Sequence, residues 1–171
     1  MQRGRTWSRS RPVRWGLIAL LALAAVGARW LEERLTVPLA GGARLIDGDS
    51  MYLGEREVRL IGIDAPEGLQ RCRRDGRDWA CGEEARRELQ RLIGGDEVTC
   101  RGRESDRFGR WLARCTAGGR DLNALMVERG FAVAYGDYER EERAAKAARR
   151  GLWGAEFEQP RAWRDRQGIG E

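Results

Sequence analysis

Val58-Arg59-Leu60-Ile61-Gly62-Ile63 is a short, nearly continuous apolar run with a single arginine set inside it. Six residues of this kind read as a strand, and the run ends at Asp64-Ala65-Pro66-Glu67, where Pro66 stops regular pairing. A cation buried in such a strand needs a partner or a site to serve, because desolvating an unpaired charge is costly. The alternative is an arginine on the solvent face of an edge strand. Either way, the fold has to provide neighbouring strands and decide what Arg59 faces.

The flanking segments supply those neighbours. Ala43–Ile46 is a short strand entering the turn Asp47-Gly48-Asp49-Ser50, and Ser50–Leu53 and Glu57–Ile63 form a hairpin pattern around Gly54-Glu55-Arg56. Glu97–Arg101 and Trp111–Cys115 form another around Asp106-Arg107-Phe108-Gly109-Arg110. Helices are expected at Glu83–Ile93, with Ala85, Leu89, Leu92 and Ile93 on one face and Gly94-Gly95 as the stop. Two more follow at Asp121–Arg129 and Tyr138–Arg150, each closed by a glycine. Short strands, then a helix, a hairpin and terminal helices point to an α+β fold around a small closed or partly closed barrel. Residues 29–42 read as a linker or entry strand, 43–155 as the folded domain and 156–171 as a polar tail.

Composition removes much chemistry. The 171 residues contain no histidine. That excludes Ser-His-Asp triads, Cys-His pairs and His-ligated zinc, and leaves carboxylates, tyrosines, thiols or the single lysine, Lys146, as general bases. The net charge of +5 resides wholly in residues 1–28, which hold five arginines and no acid, so residues 29–171 are neutral overall. The basic balance therefore says nothing about what the domain binds. Arg3, Arg5, Arg9, Arg11 and Arg14 precede an uncharged run of 14 residues, Trp15–Ala28, closing on the small residues Val26 and Ala28. This reads as a secretory signal cleaved after Ala28, or as an uncleaved membrane anchor extended through Trp30 and Leu31. Both versions export the domain, to the periplasm, to the outside, or to the outer side of a membrane. No adjacent arginine pair supports a twin-arginine signal.

Four cysteines, Cys72, Cys81, Cys100 and Cys115, agree with an oxidising compartment. Their spacing lacks a CxxC knuckle, which argues for disulfides over zinc. Of the three possible pairings, that of neighbours is favoured because each neighbouring pair flanks a loop or hairpin.

The chemistry-bearing residues are carboxylates and arginines at strand ends. Asp47 and Asp49 in one turn, and Asp64 and Glu67 after a later strand, converge if the two strands pair; such hard oxygen donors suit Ca²⁺ or Mg²⁺. Leu45-Ile46-Asp47-Gly48-Asp49-Ser50 and Val58–Glu67 are followed in order by three further motifs. These are Asp106–Arg110, Asp121-Leu122-Asn123 with Gly130-Phe131-Ala132, and Gly151-Leu152-Trp153. Together they resemble the staphylococcal nuclease (thermonuclease) family over residues 43–153, about two-thirds of the chain.

The resemblance implies a five-stranded OB-fold barrel packed with about three helices, acting as a monomeric calcium-dependent endonuclease on DNA and/or RNA. Position by position, Asp49 and Asp64 would ligate Ca²⁺, the Ala65 backbone carbonyl would join them, and Asp47 would support the loop. Glu67 would be the general base, and Arg59 and Arg110 would grip the scissile phosphate. Tyr135 and Tyr138 are candidate substrate contacts. Ser50 and Ala65 stand where the best-known members carry Thr, and the cysteine-bearing loop 68–81 is not part of the common pattern. The rival reading is a catalytically silent nucleic-acid- or protein-binding module of the same fold.

Overall fold

The computed structural model describes residues 12–35 and 37–169, with the backbone alone for 12–15, 28–35 and 37. It divides into two units, Met1–Thr36 and Val37–Glu171.

The described residues of the first unit form helix α1 (Pro12–Leu35), and the side chains of residues 16–27 are exposed along it. Proline at its first position fits a helix start, where no backbone donor is needed. Among the described residues no helix is long and apolar enough to cross a membrane. Arg3, Arg5, Arg9 and Arg11, expected ahead of the apolar run, lie outside the described residues.

The second unit is the α+β barrel. Its strands are β1 (Val37–Gly41), β2 (Ala43–Leu45), β3 (Ser50–Leu53), β4 (Arg56–Leu60) and β5 (Ile63–Asp64). A hairpin follows, β6 (Cys72–Arg74) and β7 (Arg77–Trp79), then helix α2 (Cys81–Ile93). The second half contains β8 (Val98–Ser105), β9 (Trp111–Ala117), β10 (Arg120–Asp121), α3 (Leu122–Glu128), β11 (Val133–Ala134) and α4 (Glu139–Ala147). A 3-10 turn (Gly151–Gly154) and α5 (Pro160–Gln167) close the chain.

The main sheet runs β1-β8-β9-β4-β3-β2, with β10 added to β9, and curls into a nearly closed barrel. Every neighbouring pair is antiparallel except β4 and β9, which are parallel. Five strands, β2, β3, β4, β8 and β9, make the expected barrel; β1 and β10 extend it. Likewise α2, α3 and α4 are the expected three helices, and α1 and α5 stand outside that set.

The period of two in the strands sorts the side chains. In β4, Val58 and Leu60 are fully buried in the core beside Met51, Leu53 and Trp111, while Arg59 between them faces the other way. Helix α2 lays Ala85, Leu89, Leu92 and Ile93 on this core and stops at Gly94, whose φ of 63° is the left-handed cap that glycine adopts freely.

Asp121 caps α3 by accepting from the Ala124 amide at 3.0 Å. Asn123 is wholly buried yet satisfied. Its amide donates to the Ile61 and Ala113 carbonyls at 2.9 and 3.2 Å, and its oxygen accepts from the Cys115 amide at 3.0 Å. One side chain thereby stitches α3 to β9 and to the chain leaving β4.

Both disulfides join neighbouring cysteines. Cys100 and Cys115 face each other across β8 and β9, and Cys72 of β6 is bonded to Cys81 at the start of α2. Two disulfides suit an oxidising, non-cytoplasmic location. Residues 156–171, expected as a polar tail, carry helix α5, begun by the buried Pro160 and ended by Gly168 at φ 66°.

Candidate active site

The acidic turn between β2 and β3 is held by its own backbone. The amides of Ile46 and Asp47 donate to the Ser50 carbonyl at 3.0 and 3.3 Å, and the Asp49 amide donates to Asp47 Oδ1 at 3.0 Å. Gly48 lies so close to α2 that a Cβ would come within 2.7 Å of Ala85 Cβ and 2.8 Å of Ala65 Cβ. Only glycine lets the turn pack there.

This packing buries Asp49, which is 2% exposed. Its Oδ1 accepts from Ser50 Oγ and from an Arg59 guanidinium nitrogen, both at 2.9 Å, and its Oδ2 accepts from the Ala65 amide at 2.8 Å. Ala65 thus meets the site through its N–H.

The register of β3 on β4 places Ser50 opposite Arg59, so the arginine emerges beside the turn. It forks between Asp49 and Asp64 Oδ1, the second bond being 2.8 Å. The question posed by the sequence is answered: Arg59 faces neither core nor open solvent but two buried carboxylates. Burial alone would lower the arginine's pKa, and Asp49 and Asp64 together more than offset that, so it is held above its ordinary value. Burial first, and the charge of Asp49 second, push the Asp47 carboxyl up to about 7.

Glu67 follows Pro66 in a tight loop. The Gln70 amide donates to the Glu67 carbonyl at 2.7 Å, and the loop presses on the first turn of α2, where a Cβ on Gly82 would lie 1.7 Å from that carbonyl oxygen. The Glu67 carboxylate is bound by Arg164 of α5 at 2.8 Å. The same guanidinium nitrogen donates to Asp64 Oδ1 at 2.8 Å, and its partner nitrogen donates to Asp64 Oδ2 at 3.1 Å. A continuous chain of charge results: Asp49, Arg59, Asp64, Arg164, Glu67.

Arg110 lines the same cleft, in the turn of the β8–β9 hairpin, just before the strand that pairs with β4 beside Arg59. Asp106 holds it. Arg110 Nε donates to Asp106 Oδ2 at 2.8 Å, while Oδ1 accepts from the amides of Phe108 and Arg110 at 2.9 and 3.0 Å. The guanidinium also sits 5.2 Å from the Phe108 ring centre. The cleft has a volume of about 590 Å³ and takes in Arg59, Asp64, Glu67, Arg110, Tyr135 and Arg164.

The structure therefore brings Asp49, Arg59, Asp64 and Glu67 into one network and sets Arg110 in the same cleft, held by a separate carboxylate. Tyr135 is exposed on the cleft wall. Tyr138 is not there: its hydroxyl donates to Asp121 Oδ2 at 3.4 Å, its ring packs on the core, and burial raises its pKa to about 12.

Two residues that sequence reasoning assigned no role are Asp106 and Arg164. Asp106 opens the Asp106–Arg110 motif, and its spacing of four from Arg110 is a detectable pairing signal. Arg164 has no local signal, being 100 residues from Asp64.

The carboxylates of Asp49 and Asp64, with Glu67 beside them, offer only oxygen and suit a hard divalent cation. Those three carboxylates, with Asp47 behind them, outnumber the two guanidiniums, so the cluster is electrostatically receptive to one. As placed, the carboxylate oxygens rest on Arg59 and Arg164, and among the described residues no three acids converge as a metal site.

A small barrel of mainly antiparallel strands backed by three helices, with an acid–arginine cluster at the strand ends, defines an OB-type α+β barrel. Residues 57–155 match the family described as staphylococcal nuclease homologue. The chain is 34% identical to a micrococcal nuclease of Shigella flexneri, over 85% of this chain and 94% of that protein. It is also 34% identical to the succinoglycan biosynthesis protein ExoI of Rhizobium meliloti, over 71% and 68% of the respective chains. A probable staphylococcal-like nuclease of Oryza sativa is 32% identical over 68% of this chain and 30% of its own length. The chain belongs to the staphylococcal nuclease family.

Proposed function

We propose that this protein is a Ca²⁺-dependent endonuclease that hydrolyses phosphodiester bonds in DNA and/or RNA by attack of water on phosphorus. The observation that carries the reading is the cleft lined together by Arg59, Asp64, Glu67 and Arg110, with Asp49 tied directly to Arg59. The similarity to the nucleases of Shigella flexneri and Oryza sativa supports it.

Phosphodiester hydrolysis needs an activated water and positive charge to meet the extra negative charge of the transition state. Arg59 and Arg110 bind the scissile phosphate within the one cleft, each pre-aimed by carboxylates that spare the reaction the cost of ordering it. Glu67 orients or deprotonates the attacking water, the role a histidine cannot fill in this chain. Asp49 and Asp64, with the Ala65 carbonyl, would hold the cation, and Asp47 braces their turn. Bound there, the ion would supply charge to the phosphate and lower the pKa of a water. Tyr135 offers an aromatic face to the substrate at the cleft wall. All these groups come from one chain, so a monomer suffices. The segment 1–28 acts as the export signal.

The test is cleavage of single-stranded DNA and of RNA by the oxidised protein in Ca²⁺, in Mg²⁺ and in EDTA, beside Glu67→Ala. Cleavage that needs Ca²⁺ and collapses in the variant is expected. Full activity in EDTA would remove the cation from the reading. A folded protein that binds nucleic acid without cutting it in Ca²⁺ would make this a binding module.

A further inference from the structure

The polar C-terminal stretch ends in the cleft, and its arrival there is engineered by contacts elsewhere. Gln70, 1% exposed, donates to the Glu158 carbonyl at 2.7 Å. Arg73 of β6 and Glu156 exchange both backbone hydrogen bonds, at 2.9 and 2.8 Å. Phe157 packs edge-on against Trp153 with ring centres 5.1 Å apart, and both rest on a small core of Cys72, Cys81, Val133 and Leu152. The β6–β7 hairpin is thus a bracket, bonded to α2 through Cys72–Cys81, that clamps residues 156–158 and aims α5 at the acidic cluster. The loop 68–81 and the C-terminal segment, two features with no evident purpose in the sequence, are one device.

What the device delivers is Arg164. Its side chain is 22% exposed and forks across Asp64 and Glu67. Among the described residues Arg164 is the one hydrogen-bond partner of the Glu67 carboxylate, which otherwise extends from a loop with three freely rotating bonds. Burial works against the charge on Arg164, and its bonds to Asp64 and Glu67 more than restore it, so the guanidinium stays ionised at any working pH. Arg164 also lies beyond residue 155, where the family match ends.

We propose that Arg164 is a positioning residue of the nuclease site, holding the Glu67 carboxylate beside Asp64 so that it meets the attacking water in one orientation, and that the bracketed segment 156–169 is therefore a working part of the enzyme. The proposal rests on the nuclease reading above. Residues of this supporting kind typically carry about 10- to 100-fold in activity.

The experiment compares the whole oxidised protein with Arg164→Gln, Arg164→Lys, Glu67→Gln and the Arg164→Gln/Glu67→Gln pair. Arg166→Gln, on an exposed residue of the same helix paired with Glu158, is the control. Thermal unfolding verifies that each is folded. Arg164→Gln is expected to lose about 10- to 100-fold in kcat with KM nearly unchanged. Arg164→Lys recovers little of it, because an ammonium lacks the planar fork. In the Glu67→Gln background the residual rate falls no further, since Arg164 acts through Glu67. Calorimetric titration with Ca²⁺, which reads the site without turnover, shows Arg164→Gln binding no more weakly than the parent.

An unchanged kcat in Arg164→Gln overturns the proposal. So does an equal loss in the Glu67→Gln background, which would make Arg164 a substrate contact. Weakened Ca²⁺ binding overturns it too, placing the role on Asp64. A folded parent protein that cleaves nothing overturns the nuclease reading itself, and this proposal with it.

Discussion

Replacing Asp47 by Asn tests the electrostatics of the acidic turn while keeping its geometry. Asp47 Oδ1 accepts the Asp49 amide at 3.0 Å, and an amide oxygen accepts it equally well. Burial, then the charge of Asp49, raise the Asp47 carboxyl from 3.8 to about 7 in the folded protein. The folded state holds this proton more tightly than the unfolded chain does. Well below pH 3.8 both states are protonated and the residue costs nothing. As pH rises from 3.8 towards about 7 the unfolded chain ionises first, so stability is lost across that window and the loss is complete above it.

At about 1.4 kcal/mol per pH unit the full loss is at most about 4 kcal/mol, and nearer 2 for a carboxyl with one edge open to water. Asp47→Asn cannot ionise. Urea unfolding in EDTA should therefore give nearly equal midpoints for the two proteins at pH 3 and an Asn variant about 2 kcal/mol more stable at pH 8. Stability curves that run parallel from pH 3 to pH 8, or an Asn variant weaker at pH 8, would refute the reasoning.

Arg59→Ala leaves two buried carboxylates, Asp49 and Asp64, without their shared cation and should cost about 3–5 kcal/mol in urea unfolding. Arg110→Ala removes a pair at the cleft rim and should cost no more than about 1 kcal/mol. Both should lower kcat by about 100-fold or more, and equal stability costs would contradict the different burial of their partners. Asn123→Ala strands the buried Cys115 amide and takes a donor from the Ile61 and Ala113 carbonyls, the second of which keeps the Ile61 amide; it should destabilise by about 2 kcal/mol with kcat unchanged in whatever fraction stays folded. A cost below about 1 kcal/mol would mean water replaces the side chain.

How much of this was legible in the sequence depends on the range over which each feature is determined. The strands around Arg59 and the apolar face of α2 follow from local periodicity, and the Gly94 stop from one residue's freedom at positive φ. Asp49, Arg59, Asp64 and Glu67 stand within 19 residues of one another, on a hairpin and the loop after it, so one short stretch determines nearly the whole cluster. Arg110 needed only the β8–β9 turn, and Asp106 four residues before it sets its direction.

The tyrosines mark where local reading fails. Tyr135 and Tyr138 are three residues apart, but the backbone at Tyr138 takes φ 66°, which turns the second ring towards Asp121 and the core while the first stays on the cleft wall. Arg164 lies further still from anything local. Its stretch has no apolar stripe to predict a packed helix, because α5 is held by backbone bonds from Arg73, the buried Gln70 and the ring of Phe157 rather than by its own face. A segment fixed through main-chain partners leaves almost no trace in side-chain pattern. Its function becomes visible only once the hairpin that receives it is in place, and it is there that the negative charge left over by Arg59 finds its second cation.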